Sequence, residues 1–293
     1  MSTKLYRQPL LGIIAFGVAA LSQWLGHSLY ALLQASFGDY HYYAFFLTGV
    51  GGAVLVARGL NKSEIQATWM GFLGAQFIWV GWFELTFELY AEVFAFPEYV
   101  ARPDLVSTGG ANLLMATMPI MLTIFLLYGF FNRQTKCNLI RWFHRNLRMN
   151  PGMPTPDNGR SVARIVAMES IFVIWACYEY WLYVSYFGAS ETVMTVAYVA
   201  WAAWFVYIFR KLLQYPRVGP AFRYAIPVGI IGWGLGEMPS YMGLYDEFWL
   251  KPLDYPLTTA IATAVYAAGI VYLANPPQRS PSDGTGAAQT APA

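Results

Sequence analysis

The chain has 293 residues, 57% hydrophobic and only 12% charged, with a formal net charge of +2 and a mean hydropathy of +0.41. Soluble domains carry about 25% charged residues, so a soluble enzyme or a nucleic-acid-binding module is excluded as the main body. A charge of +2 is also too small to draw a polyanionic partner.

The composition predicts an all-α, polytopic integral membrane protein. A membrane-crossing helix needs about 20 mostly apolar residues, and eight stretches qualify: 9–36, 41–57, 67–96, 110–131, 164–187, 192–209, 223–245 and 256–274. Lys4 and Arg7 precede the first run, but no small-residue cleavage site ends it, so it reads as an uncleaved helix rather than a signal peptide. Gly38-Asp39 closes the first hairpin, and residues 58–64 close the second span. The stretch 97–110, with Arg102 and Asp104, separates the third and fourth spans. Residues 132–163 form a long basic loop with Pro151, Pro154 and Pro156, and 276–293 reads as a disordered tail. The expected organisation is a four-helix half (1–131), the loop (132–163), a second four-helix half (164–275) and the tail.

Lys and Arg fix the expected orientation, because cytoplasmic loops collect them. With the N-terminus inside, sixteen of the eighteen fall on the cytoplasmic side; Arg102 and Lys251 are the exceptions. Both termini are then cytoplasmic, and the expected location is the inner membrane. The halves echo one another weakly. Gly81-Trp82 and Tyr90 match Gly232-Trp233 and Tyr241 at an offset of 151, and Phe37-Gly38 matches Phe187-Gly188 at 150. Four helices per half make such a repeat parallel, as in some transporters. The basic stretch 141–148 reads as an amphipathic helix on the anionic inner leaflet. Cys137 and Cys177 form neither a disulfide framework nor a metal motif.

Ionisable residues inside spans cost at least a few kcal/mol each, which makes them functional candidates. They fall in the odd-numbered spans: His27 with Gln23 in the first, Glu84 and Glu88 in the third, Glu169 and Glu179 in the fifth, and Glu237 in the seventh. At about 1.5 Å per residue, Gln23, His27, Glu84, Glu179 and Glu237 share one layer in the outer half, with Glu88 above them. Glu169, one turn past Arg164, is expected to reach the inner surface and stay outside the site. Two nearby carboxylates in a low dielectric cannot both stay ionised without a cation. Aromatic residues crowd the same layer: Trp24, Trp82, Tyr178, Tyr180, Trp233 and Tyr241. Pro239 and the glycines at 232, 234 and 236 predict a kink or break in the seventh span beside Glu237.

The expected activity is that of an enzyme on a membrane-dissolved substrate, isoprenoid, acyl or similar. Glu84, Glu179 and Glu237 are its catalytic carboxyls, and the aromatic set with Gln23 is its substrate surface. The chemistry is acid/base, or that of a metal held by His27, Glu84, Glu88, Glu179 and Glu237. No Glu-x-x-His motif or His-rich box accompanies that metal alternative, and one deep histidine excludes bis-histidine haem. Two other readings remain open. One is a quinone-interacting subunit of a redox complex with partner subunits, since two four-helix halves with an outer-face site resemble the quinone-handling membrane anchor of polysulfide reductase. The other is a proton- or cation-coupled transporter. In each reading the partners are membrane lipid and a hydrophobic or ionic small molecule, not nucleic acid.

Overall fold

The structure is a computed structural model, and it describes residues 6–102, 105–135, 137–150, 161–187, 190–241 and 244–276. The tail beyond 276 and the proline stretch 151–160 lie outside the described residues. The fold is all-helical apart from a short hairpin of β1 (Tyr99–Arg102) and β2 (Leu105–Ser107).

The helices in chain order are α1 (Leu10–Phe37), α2 (His41–Gly59), α3 (Glu64–Ile78), a π-helical turn (Trp79–Glu84) and α4 (Leu85–Val93). Next come α5 (Gly109–Phe131), α6 (Asn138–Asn146), α7 (Val162–Phe187), α8 (Glu191–Leu212), α9 (Val218–Tyr241) and α10 (Pro256–Ala274). Side-chain caps start two of them. Thr108 accepts from the Ala111 N–H at 3.2 Å, and Ser190 accepts from the Val193 N–H at 3.3 Å.

Five stretches are long and apolar enough to cross a membrane: Leu10–Gly59, Gly109–Phe131, Val162–Tyr186, Glu191–Leu212 and Pro256–Ala274. The first folds back on itself. Gly38 takes φ +48°, which a residue with a side chain rarely adopts, and Tyr30 of α1 then meets Phe45 of α2 with ring centroids 5.0 Å apart. The rod 64–93 and α9 fall outside this set. The π turn interrupts the first, and α9 carries four glycines and two prolines between Pro227 and Pro239.

The least apolar helices are the central ones. α1 packs most extensively on α9, and α3 packs most extensively on α2 and α7, while α7 also meets α9. α5, α8 and α10 lie outside this core and turn apolar faces outward through Ile120, Leu127, Val196, Val199, Leu257 and Ile261. A chain in water does not expose such continuous apolar surface. The short loops leave one end of the bundle basic, with Arg58, Arg210, Arg217 and Arg223. The other is acidic, with Asp39, Glu191 and Asp246. At the basic end Glu64 of α3 pairs with Arg223 of α9.

Two details depart from the expected pattern. α9 runs unbroken from Val218 to Tyr241; the irregular backbone lies instead at Trp79–Glu84. Proline still leaves its mark, because it supplies no N–H to the carbonyl four residues back. Pro239 orphans Leu235 O, to which Tyr198 of α8 donates at 3.0 Å. Pro119 orphans Met115 O, to which Tyr183 of α7 donates at 3.2 Å. Glu169 does not reach for the surface either. It accepts from Thr135 Oγ1 at 2.5 Å and so anchors the turn before α6.

α2 and the rod 64–93 approach through small residues. A Cβ on Gly81 would collide with the backbone of Gly49 and with Phe45 O, and one on Gly49 would strike the Trp82 ring. Gly81→Ala is therefore expected to cost about 1–3 kcal/mol, as overpacking does, read as a lower unfolding midpoint in detergent. Tyr198→Phe should cost about 1–3 kcal/mol by leaving Leu235 O unsatisfied, whereas Tyr207→Phe, on an exposed face of α8, should leave the midpoint unchanged.

Candidate functional site

The four central helices line a cavity of ≈ 50 Å³, nearer the acidic end. This is room for a few water-sized groups. α1 contributes Gln23 and His27. The rod 64–93 contributes Gln76, Trp79 and Glu84. α7 contributes Cys177, Tyr178 and Trp181, and α9 contributes Trp233 and Glu237. A second cavity of ≈ 10 Å³ lies beside it, lined by Tyr178, Ser185, Tyr186, Glu237 and Tyr241.

Glu84 owes its position to the π turn. Trp79 Nε1 donates to Glu84 Oε1 at 2.9 Å, across five residues. In an α-helix two residues five apart point about 140° away from each other. The wider π turn, a feature common at functional sites, brings them together. Glu237 faces it from α9. His27 Nε2 lies 3.5 Å from Glu237 Oε1, and the His27 ring stacks on Trp233 at 5.8 Å. Trp233 is backed by Trp249 at 5.0 Å, from the segment Phe248–Leu250 that closes the acidic end. Just before that segment Glu247 is half-buried, and burial pushes its carboxyl up from the ordinary value against the pull of Lys251 and Ser240.

Six of the residues expected from sequence thus line the main cavity: Gln23, His27, Glu84, Tyr178, Trp233 and Glu237. Tyr241 lines the smaller one. The others lie elsewhere. Trp82 faces α2 and donates to Phe46 O at 3.2 Å. Trp24 packs edge-on against Phe248 at 5.0 Å, and Tyr180 stacks on Trp201 at 4.8 Å. Glu88 is held by α1 instead: Tyr30 Oη donates to Oε2 at 2.5 Å and Gln34 Nε2 to Oε1 at 2.9 Å.

Glu179 is the main displacement. Cys177, Tyr178 and Trp181 turn one face of α7 to the cavity. Two residues beyond Cys177, at about 100° per residue, Glu179 points to the opposite side. Its depth matches the layer but its direction does not. It is 4% exposed; the Trp175 indole, one turn back, lies close enough to act on the carboxyl, but neither oxygen sits in full hydrogen-bond geometry. The five-residue metal set is accordingly not assembled. Among the described residues no three His, Cys, Asp or Glu side chains converge to hold a metal ion.

Comparison with family models, with characterised proteins and with solved structures finds no match for this chain. The architectural likeness to the polysulfide reductase anchor therefore rests on the expected two four-helix halves and outer-face site alone.

Sequence reasoning missed Gln76, Trp79, Cys177 and Trp181. Gln76 was within reach, since Gln76, Val80 and Glu84 recur every four residues. Trp79 was not, because only a π turn pairs it with Glu84. An unpartnered buried carboxyl is costly, and an apolar side chain of similar volume removes the cost. Glu179→Met is expected to raise stability by about 1–3 kcal/mol, measured by unfolding in mixed micelles. A fall in stability would show that the Trp175 indole satisfies this carboxyl.

Proposed function

We propose that this chain is an inner-membrane enzyme whose cavity performs acid/base chemistry on a hydrophobic substrate. The observation that carries the proposal is the pairing of Glu84 and Glu237 across one cavity in unlike surroundings. Each carboxyl has an indole beside it, Trp79 for Glu84 and Trp233 for Glu237, and Glu237 has in addition the His27 imidazole. Two carboxyls in unlike surroundings can hold different protonation states, as a general acid and a general base must. His27 exchanges a proton with Glu237, and Trp79 fixes the rotamer of Glu84. The cavity admits only a small reacting group, so the aliphatic remainder of the substrate lies along the apolar helix faces, in lipid.

The same proposal includes the topology. The chain crosses the membrane eight times, with the basic end and both termini in the cytoplasm and the cavity toward the outer face. The basic loops support this orientation through the positive-inside bias, and α6 with Arg141 and Arg145 then lies along the inner leaflet. The halves 1–131 and 164–275 act as parallel repeats. The packing of α1 on α9 and of α3 on α7 supports this, because each joins the first helix of one half to the third helix of the other.

The test compares lipid extracts of membranes expressing the wild-type chain, Glu237→Gln or Glu84→Gln at matched levels, by untargeted mass spectrometry. The expected outcome is a lipid-soluble species depleted and a second enriched by the wild type alone, with conversion falling at least about 100-fold in either variant, the scale of a lost general acid or base. Identical profiles for all three chains would remove the acid/base reading.

A further inference from the structure

A line of carboxyls leads from the cavity to the acidic end. Glu84, Glu88 and Glu92 are spaced four apart, so they lie on one face of the rod 64–93, rising about 6 Å per step. Exposure rises along the line: Glu84 and Glu88 are partly buried and Glu92 is exposed. Each carboxyl accepts from an aromatic donor: Glu84 from Trp79, Glu88 from Tyr30, and Glu92 from Tyr42. The middle step is the most closely built. Tyr30 Oη lies 2.5 Å from Glu88 Oε2, and Gln34 Nε2 donates both to Glu88 Oε1 and to Tyr30 Oη at 2.9 Å. Tyr30 also lies close enough to Glu84 to feel its carboxylate charge. Helix α1 adds His27, Tyr30 and Gln34 along one face, beginning at the cavity and ending beside Glu88.

Nothing in the cavity chemistry requires Glu88 or Tyr30, yet ordering a carboxyl, a phenol and an amide together carries a side-chain entropy cost. An acid/base site at this depth in the bundle must exchange its protons with water after each turnover. We propose that Glu88 and Tyr30 relay protons between Glu84 and the water at the acidic end, with Glu92 as the outer terminus. In the inward direction, Glu92 takes a proton from water and passes it to Glu88. Glu88 then protonates the Tyr30 oxygen as the Tyr30 hydroxyl proton moves on to Glu84. One proton enters and one carboxylate, Glu84, becomes a carboxylic acid, with no net electron transfer. The groups facing this line are Tyr30 and Gln34 from α1, Tyr42 from α2, Tyr178 from α7 and, across the cavity, Glu237 from α9. The relay rests on the acid/base reading of the cavity and gives that reading its proton source.

The test is time-resolved infrared spectroscopy of the full chain in lipid nanodiscs after a pH jump. The carboxyl band lost in Glu84→Gln reports Glu84. In Glu88→Gln and in Tyr30→Phe that band is expected to keep its amplitude and to respond at least about tenfold more slowly, the effect of about 1.4 kcal/mol on a barrier. Tyr30→Phe retains the ring that packs on Phe45 and decides the matter if Glu88→Gln does not fold. A response within about twofold of wild type with the Glu84 band intact overturns the relay and leaves the acid/base site standing. If Glu84→Gln removes no band at any pH, the relay and the site reading fall together.

Discussion

The contact of α2 with the rod 64–93 is the constraint on which the cavity depends. Glycine at 49 and 81 lets two backbones touch where side chains would hold them apart. Interfaces of small residues are how membrane helices gain close packing without a hydrophobic drive between them. Here the contact falls within the π turn, so the helix that gives up regular hydrogen bonding does so against a neighbouring backbone. Irregular backbone survives inside a membrane only where protein or a cavity surrounds it, and this turn has protein on one side and the cavity on the other. Its yield is the orientation of Trp79 and Glu84, which the regular period of the helix forbids.

The central helices carry the polar residues and the peripheral ones carry the apolar surface. This division explains why the helices nearest the site are the least apolar. Their neighbours shield them from lipid, and they can hold glycine, glutamine and carboxyl groups that an outer helix cannot. α5, α8 and α10 carry the outward apolar faces, and α5 and α8 also receive or supply the hydroxyl bonds that repair the proline positions.

Much of this was legible in the sequence, and most of the failures share one cause. Helix positions follow from apolar runs, and the depth of a residue follows from counting along its helix. Gln23, His27, Glu84 and Glu237 were grouped by depth alone, and they do meet at one cavity. Direction around the helix axis is a separate coordinate. Glu179, Trp24 and Tyr180 have the expected depth and face other neighbours. Direction becomes readable only when one face carries a recurring pattern, as with Gln76, Val80 and Glu84. The π turn adds Trp79 to that face, a placement that no α-helical period gives. The break expected beside Glu237 failed for a different reason. A proline near the end of a helix costs one hydrogen bond, and Tyr198 replaces it from outside.

The two tyrosine–proline pairs reach beyond local repair. Each hydroxyl bond joins a peripheral helix to a central one at a single carbonyl: α5 to α7 at Met115 and α8 to α9 at Leu235. One turn from Leu235, Trp201 of α8 also donates to Ile231 O of α9 at 2.8 Å, so sliding by one turn would break both bonds of that helix pair. The pairs therefore act as detents that index the outer helices against the inner ones. Each pair is also a unit of inheritance. Replacing either partner alone leaves an open bond, while replacing both restores an ordinary helix.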